Sequence, residues 1–231
     1  MSQKIFTSTF LRYALLPLFL LIFLFPLSGQ DDARSKKIID DMADKFKSYP
    51  SVFLNFSLST TLLQGKPETE QEWKIWIKNN MYKLEIPDYV IYFDGSRIYQ
   101  YMPEHHEVNI AKPDLDENDA DFQMLNPLSF FHLSSKSFKT NFVKESVLNK
   151  RNVYEIDLYP IQIRTANYSR IRIMVEKTTL QLVYLKAFMI DGTNHALSFK
   201  PYEIQKTALR DAFFKFNHLE HPNVEVIDLT F

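Results

Sequence analysis

The sequence predicts a mainly β protein: one antiparallel sheet of roughly ten strands, strongly curved or nearly closed, with two helices at its opening. Three observations lead there. Beyond residue 50 apolar and polar side chains alternate with a period of two in run after run, which places successive side chains on opposite faces of a sheet. Short turn signals such as Asp94-Gly95 and Asp191-Gly192 separate the runs. Aromatic residues make up 15% of the 231 residues, with twenty Phe and twelve Tyr against four Gly. That is more bulk than a sheet with one wet face requires.

Taken in order, the chain opens with an address. Lys4 and Arg12 precede an apolar run from Tyr13 to Leu27, and Ser28 and Gly29 lead into the polar Gln30-Asp31-Asp32. This is the pattern of a secretory signal peptide over residues 1–29, with residues 30–231 left as one exported domain. A membrane anchor would need about twenty apolar residues, and this run is shorter and holds Pro17 and Pro26. Leu27 fits poorly where a small residue normally precedes the cut, so the cleavage position stays open. The absence of Cys excludes a disulfide framework and an acylated N-terminal cysteine. A net charge of −1 and the lack of a basic stripe give nucleic acid no footprint.

From Ala33 to Tyr49, Ile38, Met42 and Phe46 recur every fourth residue with Ile39 and Ala43 beside them, and Pro50 ends the pattern. This is an amphipathic helix, either packed on the sheet or serving as a lid over an apolar cavity. Val52 to Leu62 then reads as a strand, and Gln64-Gly65-Lys66-Pro67 as a turn. Trp73 to Ile110 is an aromatic meander: Trp73–Lys78, Tyr82–Ile86, Tyr89–Phe93 and Ile98–Tyr101, with turns between. Lys112 to Gln123 is crowded with acids but fails as a calcium loop. Counted from Asp114, the position for Gly is Asp119 and that for the bidentate Glu is Leu125, so a solvated loop is expected. Leu125 to Leu133 reads as a second, brief helix with Pro127 at its first position. Strands resume at Phe138–Lys144, Val153–Tyr159, Tyr168–Glu176, Leu180–Ile190 and Ala196–Gln205. Phe213–Phe216 and Val224–Leu229 close the pattern.

Catalytic chemistry finds no constellation here. His105-His106 fall at a hairpin tip, and His218 and His221 have metal-like spacing only on a helix, which Pro222 argues against. No Gly-rich loop offers a phosphate cradle, and no cofactor is implied. Asn55-Phe56-Ser57 and Asn167-Tyr168-Ser169 match a glycosylation pattern that matters only in a host with that machinery. What remains is excess apolar surface on a curved sheet. Such a sheet either fills its own core or leaves a cavity in which each acyl methylene gains about 0.8 kcal/mol.

The order of leader, amphipathic helix, strand and WKIWIKNNMYKLEIPDYVIYFDGSRIYQYMPEHHEV resembles the periplasmic outer-membrane lipoprotein carrier protein family (LolA). In that family the meander carries a DGk-x-aromatic-x-Y-x-p-x-x-x-x-V pattern, and Asp94, Gly95, Tyr99, Tyr101, Pro103 and Val108 stand at its places. NPLSFF, YEIDLYP, SRIRIMVEKTTLQLVYLKAF and FFKFNHLEHPNVEVIDL agree with later parts, so the resemblance spans residues 33–231. It implies an unclosed β-barrel, a half-barrel, capped by the N-terminal amphipathic helix and the short second helix. Its cavity would shelter the acyl chains of lipid-modified proteins, loaded by an inner-membrane ABC-type releasing complex and passed to an outer-membrane acceptor. The chain would act as a monomer and as no enzyme. Candidate cavity or lid residues are Ile38, Met42, Phe46, Trp76, Tyr82, Leu84, Phe93, Tyr99, Tyr101, Leu128 and Phe131, without a decision on which strand face is inside. One departure stands out: the family has Arg-Pro after its W-aliphatic-K strand, where the Arg helps hold the lid, and this chain has Asn79-Asn80, with Lys83 the nearest cation. An envelope-stress sensor or another lipid-binding module on the same half-barrel is the alternative.

Overall fold

In a computed structural model, which describes residues 28–62, 67–113, 127–131, 133–164 and 166–230, the alternating runs pair into one sheet. The leader, the Gln64–Lys66 turn, the acidic block from Asp114 to Asp121 and His132 lie outside those residues. The sheet has 13 strands, and its two edge strands do not meet, so the barrel stays open.

The amphipathic helix, α1, runs Ser28–Lys47. Lys36–Asp32 and Lys37–Asp41 pairs, each at 2.8 Å, brace its solvent face one turn apart. At its end the Ser48 hydroxyl donates to the Lys45 carbonyl at 2.6 Å, and Pro50 prevents continuation.

Strand β1 (Val52–Thr61) lies at the centre of the sheet. To one side follow β2 (Pro67–Lys78), β3 (Met81–Glu85), β4 (Val90–Phe93), β5 (Ile98–Met102) and β6 (Glu107–Ala111), each antiparallel to the last. The turns are where the sequence places them. Asn79 takes a left-handed φ of 52° between β2 and β3. Gly95 sits at φ +90°, which favours glycine, and a Cβ there would stand a tight 3.2 Å from the Asn80 side-chain Nδ2. His106, also left-handed, ends the 3-10 turn Pro103–His105 at the predicted hairpin tip.

To the other side β7 (Phe138–Leu148), β8 (Arg151–Pro160), β9 (Tyr168–Glu176), β10 (Leu182–Met189) and β11 (Asn194–Phe199) form an antiparallel run that joins β1 through β11. β7 is the outer edge. The tail adds β12 (Glu203–Ile204) against the start of β1 and β13 (Glu225–Asp228) parallel to β6.

Four expectations need correction. There are 13 strands rather than about ten, because Glu107–Ala111 is a strand of its own, β6, and Ala196–Gln205 yields both β11 and β12. The run Ala196–Gln205 breaks in two where Pro201 cannot extend a ladder. The brief second helix is only a 3-10 turn, Pro127–Phe130. Phe213–Phe216 is not a strand but starts inside a 3-10 turn, Asp211–Phe214, in which Phe214 is wholly buried. An alternating apolar run of that length reads alike in either form.

Directly opposed residues share a face, so the register assigns every side chain. Leu54, Ile75, Leu84 and Ile91 form one row across β1 to β4, and Leu58, Leu197, Leu185, Ile173 and Ile156 another across β1 and β11 to β8. These belong to the main core, and the apolar stripe of α1 packs on it, which defines the inner face. Phe53, Trp76, Lys83, Tyr92, Tyr99 and Ile110 make the corresponding outer row.

Candidate functional site

The site begins with the α1 stripe. Ile38, Ile39, Met42, Ala43 and Phe46 are buried against the inner face. The Phe46 ring stacks on Phe131 with centroids 4.5 Å apart and planes at 11°. Phe131 in turn meets Phe199 at 5.5 Å and Tyr202 at 6.1 Å, both edge-on. A cleft of ≈ 210 Å³, counted with its open mouth, lies between these rings and the sheet, lined by Met42, Phe46, Tyr49, Phe131, Leu180, Leu182 and Tyr202.

The lining is apolar apart from two phenols. Tyr202 donates its hydroxyl to the Leu182 carbonyl at 2.9 Å, and burial pushes its pKa well up. Burial also raises Tyr49. Deeper in the same core, the Tyr82 phenol is pushed up to about 12. None of these groups ionises near neutrality, so the surface offers an aliphatic chain nothing to compete with.

Polar contacts hold α1 at one edge of the sheet. Asp40 accepts from the Ser135 N–H at 3.1 Å and its hydroxyl at 2.8 Å. Asp32 accepts from the Thr140 hydroxyl at 2.5 Å. Arg34 pairs with Glu145, which Lys177 also reaches at 2.6 Å, and the Arg34 guanidinium lies 4.1 Å above the Phe142 ring. Bonds from Lys36 and then Thr140 hold the Asp32 carboxyl below its usual range, and those from Lys177 and then Arg34 do the same for Glu145.

These contacts answer the departure at Asn79-Asn80. That pair is the turn between β2 and β3. Lys83 lies on the outer face, paired with Glu85 at 2.9 Å and 5.3–5.4 Å from the rings of Trp76, Tyr92 and Phe213. It therefore faces away from α1. Among the described residues the helix is tied through Asp32, Arg34 and Asp40 instead.

The structure brings most of the expected residues together. Ile38, Met42, Phe46, Tyr82, Leu84, Leu128 and Phe131 are buried in the main core, and Phe93 packs against it, 5.4 Å from Tyr82. Trp76, Tyr99 and Tyr101 do not join them. Trp76 packs on Phe53 at 4.8 Å, while Tyr99 and Tyr101 border a second cluster of Tyr92, Val108 and Phe216. Each lies one residue out of step with the inner row, and a shift of one residue inverts the face. Tyr49, Leu180, Leu182 and Tyr202 were not anticipated. Leu180 and Tyr202 fall in runs read as strands but lie just outside β10 and β12, so strand alternation does not place them.

No metal-binding cluster occurs among the described residues. His221 stacks on Phe216 at 5.1 Å and meets Tyr101 at 4.5 Å, and the His195 Nδ1 shares a hydrogen bond of 3.0 Å with the Thr60 hydroxyl. No described helix is long and apolar enough to cross a membrane.

No family model and no curated protein sequence matches the chain. Solved structures do. An uncharacterized conserved protein from Thermus thermophilus matches at 9% identity and a TM-score of 0.54, over 83% of this chain and 98% of its own. The lipoprotein LppX of Mycobacterium tuberculosis matches at 12% identity and 0.49, over 75% and 100%. A LolA superfamily protein from Nitrosomonas europaea matches at 12% and 0.39, over 79% and 98%. At such identities the likeness is one of fold. What the chain shares is an open, curved antiparallel sheet, here with its inner face under a single amphipathic helix.

Proposed function

We propose that the protein is a periplasmic carrier that shelters lipoprotein acyl chains between α1 and the inner face of the sheet and ferries them from inner to outer membrane. The observation that carries this reading is the helix itself. Its apolar stripe covers the inner face, and its polar ties are gathered at the β7 edge. The enclosed part of the cleft has room for about one water molecule, far too little for an acyl chain. Loading therefore requires α1 to part from the inner face. Each methylene then taken from water contributes about 0.8 kcal/mol against the cost of parting the helix from the sheet.

On this reading residues 1–29 are the export signal and residues 30–231 the single carrier domain. Ile38, Met42, Phe46, Tyr82, Leu84, Phe93, Leu128 and Phe131, with Tyr49, Leu180, Leu182 and Tyr202, contact cargo. An inner-membrane ABC-type complex loads the chain, an outer-membrane acceptor receives the cargo, and no bond is made or broken.

The test is mass spectrometry of what remains bound to the mature protein after gentle purification, together with uptake of a fluorescent fatty-acyl probe. A bound triacylated peptide is the expected result. An empty protein that takes up no probe overturns the reading.

A further inference from the structure

At one end of the sheet the connection from β8 to β9 and the turn from β10 to β11 stand side by side, joined by the Ile190 N–H donating to the Asn167 carbonyl at 2.9 Å. Their tips carry isoleucines in water. Ile161, Ile163 and Ile190 are 59%, 75% and 66% exposed. A single exposed isoleucine is ordinary, but neighbouring loop tips that all carry one form a patch the fold does not use.

The polar surroundings are cationic. The Ile161 N–H donates to the Ser137 carbonyl at 3.4 Å, which brings the exposed Lys136 alongside. Lys139 stands opposite the partly exposed Tyr159, and Arg164 directly follows Ile163. The acid in the facing turn, Asp191, is occupied by the Thr193 N–H at 2.9 Å and hydroxyl at 2.7 Å. Asp32 and Asp40 lie behind, bonded to Thr140 and Ser135, and Asp157 is committed to Arg170 and Arg172.

We propose that this end of the sheet is a membrane-docking surface that seats on a bilayer containing anionic lipid. Apolar tips ringed by Lys and Arg, with a Tyr at the boundary, match an interface whose outer layer is negative and whose inner layer is apolar. The seat also adjoins the lid tie. Lys136 directly follows Ser135, the residue that holds Asp40 of α1, so contact with headgroups occurs beside the bond that must open for cargo to pass. That coupling rests on the carrier reading; the docking itself does not.

The test is co-sedimentation of the mature protein with vesicles of phosphatidylcholine alone or with a quarter phosphatidylglycerol. The variants are I161S/I163S/I190S and K136Q/K139Q/R164Q, all at exposed positions, with thermal unfolding to verify the fold. The protein is expected to partition onto the anionic vesicles and less as salt is raised, and each triple variant to lose at least about tenfold in partitioning. Acyl-probe uptake without vesicles should be unchanged in both. A protein that ignores anionic vesicles, or an isoleucine variant that binds them undiminished, overturns the proposal. Docking that persists in a protein unable to take up probe would remove the carrier reading and leave the surface standing.

Discussion

Asp40 on α1 accepts two hydrogen bonds from one residue, Ser135, through its backbone N–H and its hydroxyl. The pair spans 95 positions of sequence and joins the helix to the turn that precedes the edge strand β7. Because the carboxylate is charged and both donors belong to a short structured turn, this contact restrains the helix more than a surface ion pair would.

Asp40→Ala should therefore loosen the helix without unfolding the sheet. The expected loss is about 1–2 kcal/mol, since Asp40 keeps contact with solvent. Hydrogen exchange over residues 33–47 should accelerate while the core strands keep their protection, and acyl-probe uptake should quicken. Uniform acceleration across the protein would show instead that α1 and the sheet open as one unit.

The Phe46–Phe131 stack gives a second prediction. Both rings are buried, so Phe46→Ala and Phe131→Ala should each cost about 3–5 kcal/mol in denaturant unfolding. The double variant should lose less than the sum, by about 0.5–1.5 kcal/mol, the coupling of an aromatic pair. Strict additivity would mean that the rings do not meet in solution.

Much of this arrangement is legible in the sequence, and the illegible part has definite causes. Alternation and turn chemistry locate β1, β3 to β5 and β7 to β10 to within a few residues, because Asp94-Gly95 and Asn79-Asn80 admit few backbone shapes, whereas β2 begins six residues before the expected Trp73. The α1 stripe is equally plain at Ile38, Met42 and Phe46. The face of each strand is not. Trp76 and Ile77 are both large and apolar, so the pattern does not say which looks inward, and only pairing with β1 decides it: Val52 opposes Ile77, and Phe53 opposes Trp76. The Asp40–Ser135 tie and the meeting of Phe46 with Tyr202 are likewise products of long-range closure, without any local mark in the chain.

On the outer face, Asp157 is almost wholly buried and accepts from the Arg172 Nε at 2.8 Å, its Nη2 at 2.9 Å and the Arg170 Nη1 at 2.9 Å. The carboxylate raises the Arg172 pKa, chiefly through these bonds. Asp157→Asn should cost about 1–3 kcal/mol, less than a fully enclosed pair because the guanidinium groups remain 27–28% exposed. Glu72→Gln, which breaks the open Lys200–Glu72 pair, should change stability by less than about 0.5 kcal/mol. Thermal unfolding of the two variants side by side checks the contrast.

Acid should release α1 at its N-terminal half. The Asp32 and Glu145 carboxyls both have folded-state pKa values below their ordinary 3.8 and 4.5. A depressed carboxyl pKa contributes stability above the unfolded value and loses it as pH falls through the folded value. The ties to Thr140, Lys36, Arg34 and Lys177 are thus intact at neutral pH and weaken only below about pH 4. Hydrogen exchange of residues 33–40, followed from neutral pH down to about 3 and corrected for the intrinsic pH dependence of exchange, should show protection falling in that window. In Asp32→Asn/Glu145→Gln the step should vanish and protection should be low throughout. A midpoint near neutrality would assign the release to a different group, and persistence of the acid step in the double variant would remove these carboxylates from the restraint on the helix.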